Sequence, residues 1–174
     1  MAIHRRKKTL DMPMLCVYTC NVGTQKAATD FPGSLPLLPC TSANLRRAAR
    51  AVTRLYNQEL RPDAIEITQF TILMALEEAG EISQGKLGKL LALDSTTLTR
   101  MLALLRKRGW IQEKEGEDRR IRLIRLTSAG RTKLQQSLPH WKRAQDRMQS
   151  ALGEDAMRKL TGLLAQVTAM AAEL

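Results

Sequence analysis

The sequence predicts a mainly α-helical fold with one small β-hairpin, and three observations support that fold class. Apolar residues recur with helical spacing in six stretches after residue 40. Between the fourth and fifth stretches, two short runs flank Glu115-Gly116-Glu117-Asp118, which is typical of a hairpin with a charged turn. The hydrophobic content of 44% suffices for a packed core, and no apolar run approaches the ~18 residues of a membrane span.

Residues 1–39 show no sustained period of either kind, and four prolines interrupt them: Pro13, Pro32, Pro36 and Pro39. We therefore expect an irregular N-terminal extension, followed by a folded domain over residues 40–174. The chain has three cysteines and two histidines, which predict neither a disulfide framework nor a metal site. The first residues are basic and are interrupted by a proline, unlike a secretory signal, so we expect a cytoplasmic protein. We expect no cofactor.

The first helix is expected from residue 41, with Thr41 or Ser42 as its N-terminal cap. It ends at Arg61-Pro62, because the residue before a proline avoids helical angles. Its apolar residues follow helical spacing at Leu45, Ala48, Ala49, Val52, Leu55, Tyr56 and Leu60.

Two shorter helices follow. Thr68 is expected to cap the second helix, which stops near Gly80. Its inward residues are expected to be Phe70, Leu73, Met74 and Leu76. Ser83 is expected to cap a short third helix, which carries Leu87, Leu90 and Leu91.

A tight turn and cap at Leu93-Asp94-Ser95 precedes the fourth helix, expected over residues 96–108. Gly109 supplies the left-handed residue that ends it, and the cations at 106–108 suit the negative end of the helix dipole. One side of this helix is apolar, with Leu98, Met101, Leu102 and Leu105. The other side carries Ser95, Thr96, Thr99, Arg100, Ala103 and Lys107.

The hairpin strands are expected at residues 110–114 and 120–126, with their register open because Leu123 and Ile124 are both apolar. A long helix should begin at about Thr127, with Pro139 as a candidate bend. A last helix should begin at about Glu154. Its apolar stripe comprises Leu160, Leu163, Leu164, Val167, Met170 and Leu174.

Positive charge is concentrated in one segment of the chain. Between Lys86 and Arg131, twelve Lys and Arg residues against five Asp and Glu leave +7 of the total net charge of +11. Such clustering predicts a polyanionic partner, although a solvated basic face has the same composition. Aromatic residues make up 3% of the chain, too few for the stacking platforms of single-strand and RNA binders. Double-stranded DNA is therefore the expected partner.

Two short helices joined by a tight turn and followed by a hairpin form a winged helix-turn-helix. The polar side of the fourth helix suits the major groove, where Arg100 could contact guanine through two hydrogen bonds. Lys107 adds a cation on the same side. Hydroxyl groups for phosphates or bases come from Ser95, Thr96, Thr97 and Thr99. The alternative is a polar face that is simply solvated.

Several motifs resemble those of MarR-type transcriptional regulators. Glu117-Asp118-Arg119-Arg120 is similar to the family's D-x-R at the wing tip, and residues 126–131 are similar to its L-T-x-x-G-[RK] at the start of the next helix. Further matches occur in the family's order at Thr68-Gln69-Phe70, Ser95–Arg100 and Lys107-Arg108-Gly109. The resemblance covers residues 40–174.

The resemblance implies a homodimer with a helical dimerisation layer formed by residues 41–62 and 131–174. Residues 63–130 would then form the DNA-binding lobe. Two-fold symmetry implies a palindromic operator with half-sites ~34–36 Å apart.

The resemblance also implies a repressor that a signal releases from DNA, either oxidation or a small phenolic or lipophilic effector. Tyr56, Phe70 and Met74 either line an effector cleft or belong to the core.

The same resemblance assigns roles in the wing. Arg120 corresponds to the arginine that enters the minor groove, Asp118 to the acid that orients it, and Arg119 to a phosphate contact. The alternative for Asp118 and Arg120 is a surface ion pair worth under ~1 kcal/mol.

Cys40 is a candidate redox sensor. It precedes the first helix, where backbone amides and the helix dipole favour negative charge, and Arg46 and Arg47 follow within two turns. Oxidation-sensing members of the family carry a reactive cysteine near this point. The alternative is an inert, half-buried cysteine.

Two other functional classes remain open: a non-specific architectural DNA-binding protein and a winged helix that binds proteins. Gly80–Lys86 has the spacing of a phosphate-binding loop, but Leu87 replaces the required Ser or Thr and a helix precedes it. The sequence contains no catalytic constellation, so we do not expect an enzyme.

Overall fold

The computed structural model describes residues 38–116 and 122–172. The described residues fall into two compact units, one that ends at Arg50 and one that begins at Ala51. The described helices are α1 (Thr41–Leu60), α2 (Ile67–Ala79), α3 (Gln84–Leu91), α4 (Ser95–Lys107), α5 (Ser128–Leu152) and α6 (Glu154–Ala172). The strands are β1 (Ile82–Ser83), β2 (Ile111–Glu115) and β3 (Arg122–Leu126), and a 3-10 turn spans Arg61–Asp63. The predicted class, mainly α with a small sheet, is confirmed.

In the first unit, α1 begins directly after Cys40, whose carbonyl accepts a hydrogen bond from Asn44 N at 3.1 Å. The Asn44 side chain binds both the N–H and the carbonyl of Leu38, at 3.0 and 2.7 Å. Asn44 therefore holds the entry to the helix, and the expected cap at Thr41 or Ser42 is wrong because Thr41 is already helical.

In the second unit, the end of α1 is joined to α5. Tyr56 and Leu60 are buried, and the Tyr56 hydroxyl donates to Gln145 Oε1 at 2.8 Å. Burial raises the pKa of Tyr56. Glu59 pairs with Arg147 at 2.6 Å and with Arg143 at 3.3 Å, and these hydrogen bonds hold the pKa of Glu59 below its ordinary value.

The start of α2 differs from the prediction. The helix begins at Ile67, whose N–H donates to Asn57 Oδ1 at 2.7 Å, and Glu66 N donates to Gln69 Oε1 at 3.3 Å. The expected cap at Thr68 is wrong, because side chains of α1 and of the first turn already satisfy these amides.

Most inward residues of α2 are as predicted, since Phe70, Leu73 and Leu76 are buried. Met74, expected inside, is 37% exposed, and Ile72 is buried in its place. Apolar residues surround this helix on several sides, so their spacing does not single out one inward face.

The core lies between α2, α3, α4, the sheet and α5. Phe70 of α2 stacks on Trp141 of α5 with ring centroids 5.9 Å apart. Among the most deeply buried side chains are Leu73, Leu76, Leu87, Leu98, Leu105 and Ile124.

The sheet has the strand order β1-β3-β2, with both pairings antiparallel. Ile111 pairs with Leu126 and Glu115 with Arg122, which fixes the register that the sequence left open. The two-residue strand β1 pairs Ile82 with Ile124, and the sequence gives no sign of it because two residues show no alternation.

The last two helices begin where they were expected. Thr127 caps α5, which continues through Pro139 to Leu152 as one helix. α6 packs against α5 but leaves apolar side chains exposed, with Leu163 at 59% and Met170 at 61%. Leu174, the last residue of the expected stripe, lies outside the described residues. None of the helices in the described part of the chain is long and apolar enough to cross a membrane.

Candidate DNA interface

The turn between α3 and α4 fixes the start of the expected reading helix. Ala92 adopts a left-handed conformation with φ of 50°, and Asp94 caps α4 as predicted. Asp94 Oδ1 accepts from Thr97 N at 2.8 Å, and its Oδ2 accepts from the Thr97 hydroxyl at 2.6 Å. Hydrogen bonding from Thr97 lowers the pKa of Asp94. The Thr97 hydroxyl, predicted to contact DNA, is thus engaged in the cap.

The two sides of α4 have opposite character, as the sequence predicts. Leu98, Leu102 and Leu105 are buried against the core. The exposed side carries the other expected contact residues of this helix, which are Ser95, Thr96, Thr99, Arg100 and Lys107. An exposed row of short hydroxyls with two cations provides both hydrogen-bonding groups and charge for a duplex.

Gln84 joins this surface from the neighbouring helix. Its amide nitrogen donates to the Thr99 hydroxyl at 2.8 Å, and that hydroxyl donates to Ser95 O at 2.7 Å. Sequence reasoning missed Gln84, because its proximity to Thr99 depends on how α3 packs against α4. The contact places a side-chain amide beside the polar face of α4.

Gly109 ends α4 as predicted. It adopts φ of 72°, and its N–H donates to Arg106 O at 2.9 Å while Trp110 N donates to Leu105 O at 3.0 Å. These two bonds form a Schellman motif, in which a left-handed glycine lets the chain leave the helix.

The start of α5 is joined to this same turn. The Thr127 hydroxyl donates to Gly109 O at 2.6 Å and accepts from Gly130 N at 3.0 Å. Thr127 N also donates to Trp110 O at 3.1 Å. A Cβ atom at residue 130 would lie 2.0 Å from Trp110 O, so glycine is required there. The Thr-x-x-Gly sequence therefore fastens α5 to the end of α4.

Several cations of the basic segment are committed to contacts within the fold. Glu113 of β2 pairs with Arg106 at the end of α4 and with Arg122 of β3. Arg125 pairs with Glu81, and Arg131 with Glu77, each at 3.1 Å. These arginines brace the hairpin and the start of α5 rather than extending alone into solvent.

The remaining described cations of the segment are differently placed. Among the described residues of 86–131, five exposed cations make no ion pair or side-chain hydrogen bond: Lys86, Lys89, Arg100, Lys107 and Lys114. They lie on α3, α4 and β2, so the available charge follows the helix-turn-helix and the adjacent strand. Asp118, Arg119 and Arg120 lie outside the described residues.

The residues expected to respond to a signal differ in their exposure. Cys40 is an exposed free thiol in the first unit. Tyr56 and Phe70 are buried, whereas Met74 lies at the surface. In the described ranges, no group of three His, Cys, Asp or Glu side chains is arranged to hold a metal ion.

An open groove of about 1060 Å³ lies between the α3–α4 turn and the end of α6. Most of its lining is apolar, including Gly88, Leu93, Leu98, Val167 and Ala171. Lys89 also lines the groove and supplies a cation.

The fold and the polar, cation-rich face of α4 define a winged helix-turn-helix protein, and comparisons with known proteins agree. The profile described as the MarR family matches residues 65–121. The multiple antibiotic resistance protein MarR of Salmonella typhimurium is 41% identical over 78 residues, which cover 44% of this chain and 54% of that protein. The regulator SarZ of Staphylococcus haemolyticus is 36% identical over 83 residues, which cover 47% of this chain and 56% of SarZ. The chain thus matches little more than half the length of these two curated relatives.

Solved structures are similar over a larger part of the chain. The transcriptional regulator MosR of M. tuberculosis, in complex with DNA, has a TM-score of 0.68 and 32% identity, and the match covers 78% of this chain and 99% of that chain. A Cys-to-Ser variant of E. coli MarR complexed with operator DNA has a TM-score of 0.64 and 30% identity, over 72% and 91% of the two chains. The chain belongs to the MarR family of transcriptional regulators.

Proposed function

We propose that this chain is a cytoplasmic, sequence-specific repressor that binds a palindromic operator in double-stranded DNA as a homodimer. The observation that carries this proposal is the exposed face of α4, where Arg100 and Lys107 have no partner among the described residues while other arginines of the segment are paired. A helix with such a face fits the major groove. The DNA complexes of MosR and E. coli MarR, which share this fold, support the same partner.

The homodimer is supported by α6. Four of its apolar side chains are between 37% and 61% exposed in the single chain: Leu163, Leu164, Val167 and Met170. A contiguous apolar stripe of this kind is typical of a helix that packs against a partner. A second copy supplies the same stripe, which a two-fold interface requires.

The experiment that tests the proposal is selection of bound duplexes from a random library, followed by titration of the best duplex and of a random duplex at one salt concentration. We expect a palindrome that binds ~10³-fold or more tightly than the random duplex. Equal affinities would instead indicate the architectural, non-specific alternative, and no affinity for either duplex would indicate a protein-binding winged helix.

The proposal extends to the wing. Arg120 is assigned to the minor groove, Asp118 to its orientation and Arg119 to phosphate. We expect Arg120→Ala to weaken operator binding at least ~10-fold while the dimer stays folded, whereas Arg119→Ala should lower affinity for operator and random duplex alike. Operator affinity near that of the wild type in Arg120→Ala would remove the wing arginine from the mechanism.

The release signal is proposed to be a small phenolic or lipophilic acid, or oxidation of Cys40. The groove between the α3–α4 turn and α6 supports the first, because it is largely apolar and includes Lys89. The exposure of Cys40 supports the second. Titration of the operator complex with salicylate, and separately with peroxide, tests both signals. Release by peroxide that persists in Cys40→Ser would contradict the redox role.

A further inference from the structure

Arg108 directly follows α4, and its environment differs from that of its two basic neighbours. Arg106 pairs with Glu113 of β2, and Lys107 is exposed without a partner in the described part of the chain. The Arg108 guanidinium instead contacts the α1–α2 connector, residues 61–66, and the first turn of α2. Its Nη1 donates to Ala64 O at 2.9 Å and to Gln69 Oε1 at 3.1 Å.

The groups that accept from Arg108 are fixed in place. Ala64 adopts a left-handed conformation with φ of 52°, and its N–H donates to Arg61 O at 3.0 Å. Gln69 is only 3% exposed, and its Oε1 also accepts from Glu66 N. Because both acceptors are held in place by bonds of their own, they give the guanidinium one preferred position.

Trp110 and α5 hold the same junction from the other side. The Arg108 Cζ atom lies 4.8 Å from the centroid of the Trp110 ring, and Lys133 Nζ lies 5.6 Å from it. Lys133 Nζ also donates to Asp63 O at 3.0 Å, and His140 Nδ1 lies 2.5 Å from Asp63 Oδ2. The connector is thereby tied to α5 by two side chains and to the end of α4 by Arg108.

We propose that Arg108 is a positioning residue for sequence recognition. By tying the C-terminal end of α4 to the α1–α2 connector, it fixes the angle at which the polar face of α4 meets the major groove, without contacting DNA itself. The inference rests on the proposed function, since it concerns how that face is oriented on the DNA.

Loss of the Arg108 contacts should affect base contacts and phosphate contacts differently. Contacts to base edges require a helix held within ~0.5 Å and 10–20° of its productive geometry. Contacts from flexible lysines to phosphate carry no sequence information and tolerate small rotations. Loss of Arg108 should therefore reduce discrimination between sequences more than it reduces general affinity for duplex DNA.

The test compares Arg108→Gln and Arg108→Lys with Lys107→Gln, a change of equal charge at the neighbouring exposed position. Each protein is titrated with the selected palindrome and with a random duplex at several salt concentrations. The temperature is one at which circular dichroism shows every variant folded. Lysine keeps the charge of Arg108 but has a shorter side chain and no planar guanidinium to stack on Trp110, so it also serves if the glutamine variant fails to fold.

We expect both Arg108 variants to lose ~10-fold in the ratio of palindrome to random affinity. The slope of log affinity against log salt concentration should stay at the wild-type value. Lys107→Gln should weaken both duplexes alike, keep the ratio and reduce the slope by about one.

Two results would overturn the inference while the wild type retains its preference for the palindrome. One is an Arg108→Lys protein with the wild-type ratio of palindrome to random affinity, which would mean that only the charge of Arg108 contributes to discrimination. The other is an equal loss for both duplexes with a reduced slope in Arg108→Gln, which would make Arg108 a phosphate contact. A wild-type protein without any preference would contradict the proposed function itself, and the inference with it.

Discussion

At the scale of single residues, the interface depends on the residues that end α4 and on side-chain contacts in neighbouring helices. Asp94 and Gly109 hold its two ends, and both roles follow from the sequence because caps and left-handed glycines act on neighbours in the chain. Asn57 and Gln84 act on residues that are distant in sequence, so no local pattern points to them. The expected cap at Thr68 is wrong for this reason, because Asn57 of α1 accepts from the first amide of α2.

The cap at Asp94 predicts a dependence of stability on pH. The pKa of Asp94 is lowered in the folded chain, so its carboxylate stabilises the fold above the ordinary Asp pKa, and that stabilisation is lost as pH falls through the lowered value. Asp94→Ala should therefore unfold at lower urea concentration than the wild type at pH 7. The difference between the urea concentrations at which the two proteins unfold should shrink in acid.

Asp94→Asn is the matched control, because an asparagine also caps a helix but does not titrate. It should unfold close to the wild type at pH 7. If Asp94→Ala unfolds at the same urea concentration as the wild type at pH 7, the cap contributes nothing to the stability of the fold.

At the scale of elements, the helices follow from periodicity and caps, whereas the details of the sheet do not. The six described helices begin within about two residues of their expected positions, because apolar spacing and capping residues are local signals. The register of β2 and β3, and strand β1, depend on pairing between residues far apart in the chain. The end of α4 and the start of α5 meet because Gly130 allows a close approach to Trp110 O.

This junction predicts the effect of a methyl group at residue 130. Gly130→Ala would place its Cβ 2.0 Å from Trp110 O, which forces the backbone to move. We expect a loss of ~2 kcal/mol or more in the free energy of unfolding, measured in urea. Gly85→Ala in α3 is the control, since a Cβ there meets nothing within 4 Å and should stabilise the helix by ~0.5–1 kcal/mol. Equal stability of Gly130→Ala and the wild type would contradict the requirement for glycine at this junction.

At the scale of the whole molecule, the available cations of residues 86–131 lie on α3, α4 and β2, and an exposed apolar stripe lies on α6 in the described chain. The charge surplus of residues 86–131 is visible in the sequence. Its division into paired and available side chains is not, because Glu113, Glu81 and Glu77 reach their arginines only in the folded structure.

The exposed stripe predicts the effect of a charge on α6. Leu163→Lys should give a folded monomer, because Leu163 is 59% exposed in the single chain and its substitution disturbs little within it. Sedimentation velocity measures the change in mass. Ala165→Lys, about half a helical turn away on the other side of α6, should remain dimeric. A Leu163→Lys protein that sediments as a dimer would place the interface elsewhere.

Whether the polar face of α4 reads DNA sequence is tested by the affinity of Arg100→Ala for the selected palindrome and for a random duplex. Lys142→Gln on α5 is the control, because it removes one exposed charge outside the proposed interface. We predict that Arg100→Ala loses ~1–3 kcal/mol of discrimination, while Lys142→Gln keeps the wild-type ratio of affinities. An Arg100→Ala protein that discriminates as well as the wild type would show that this face of α4 does not read the sequence.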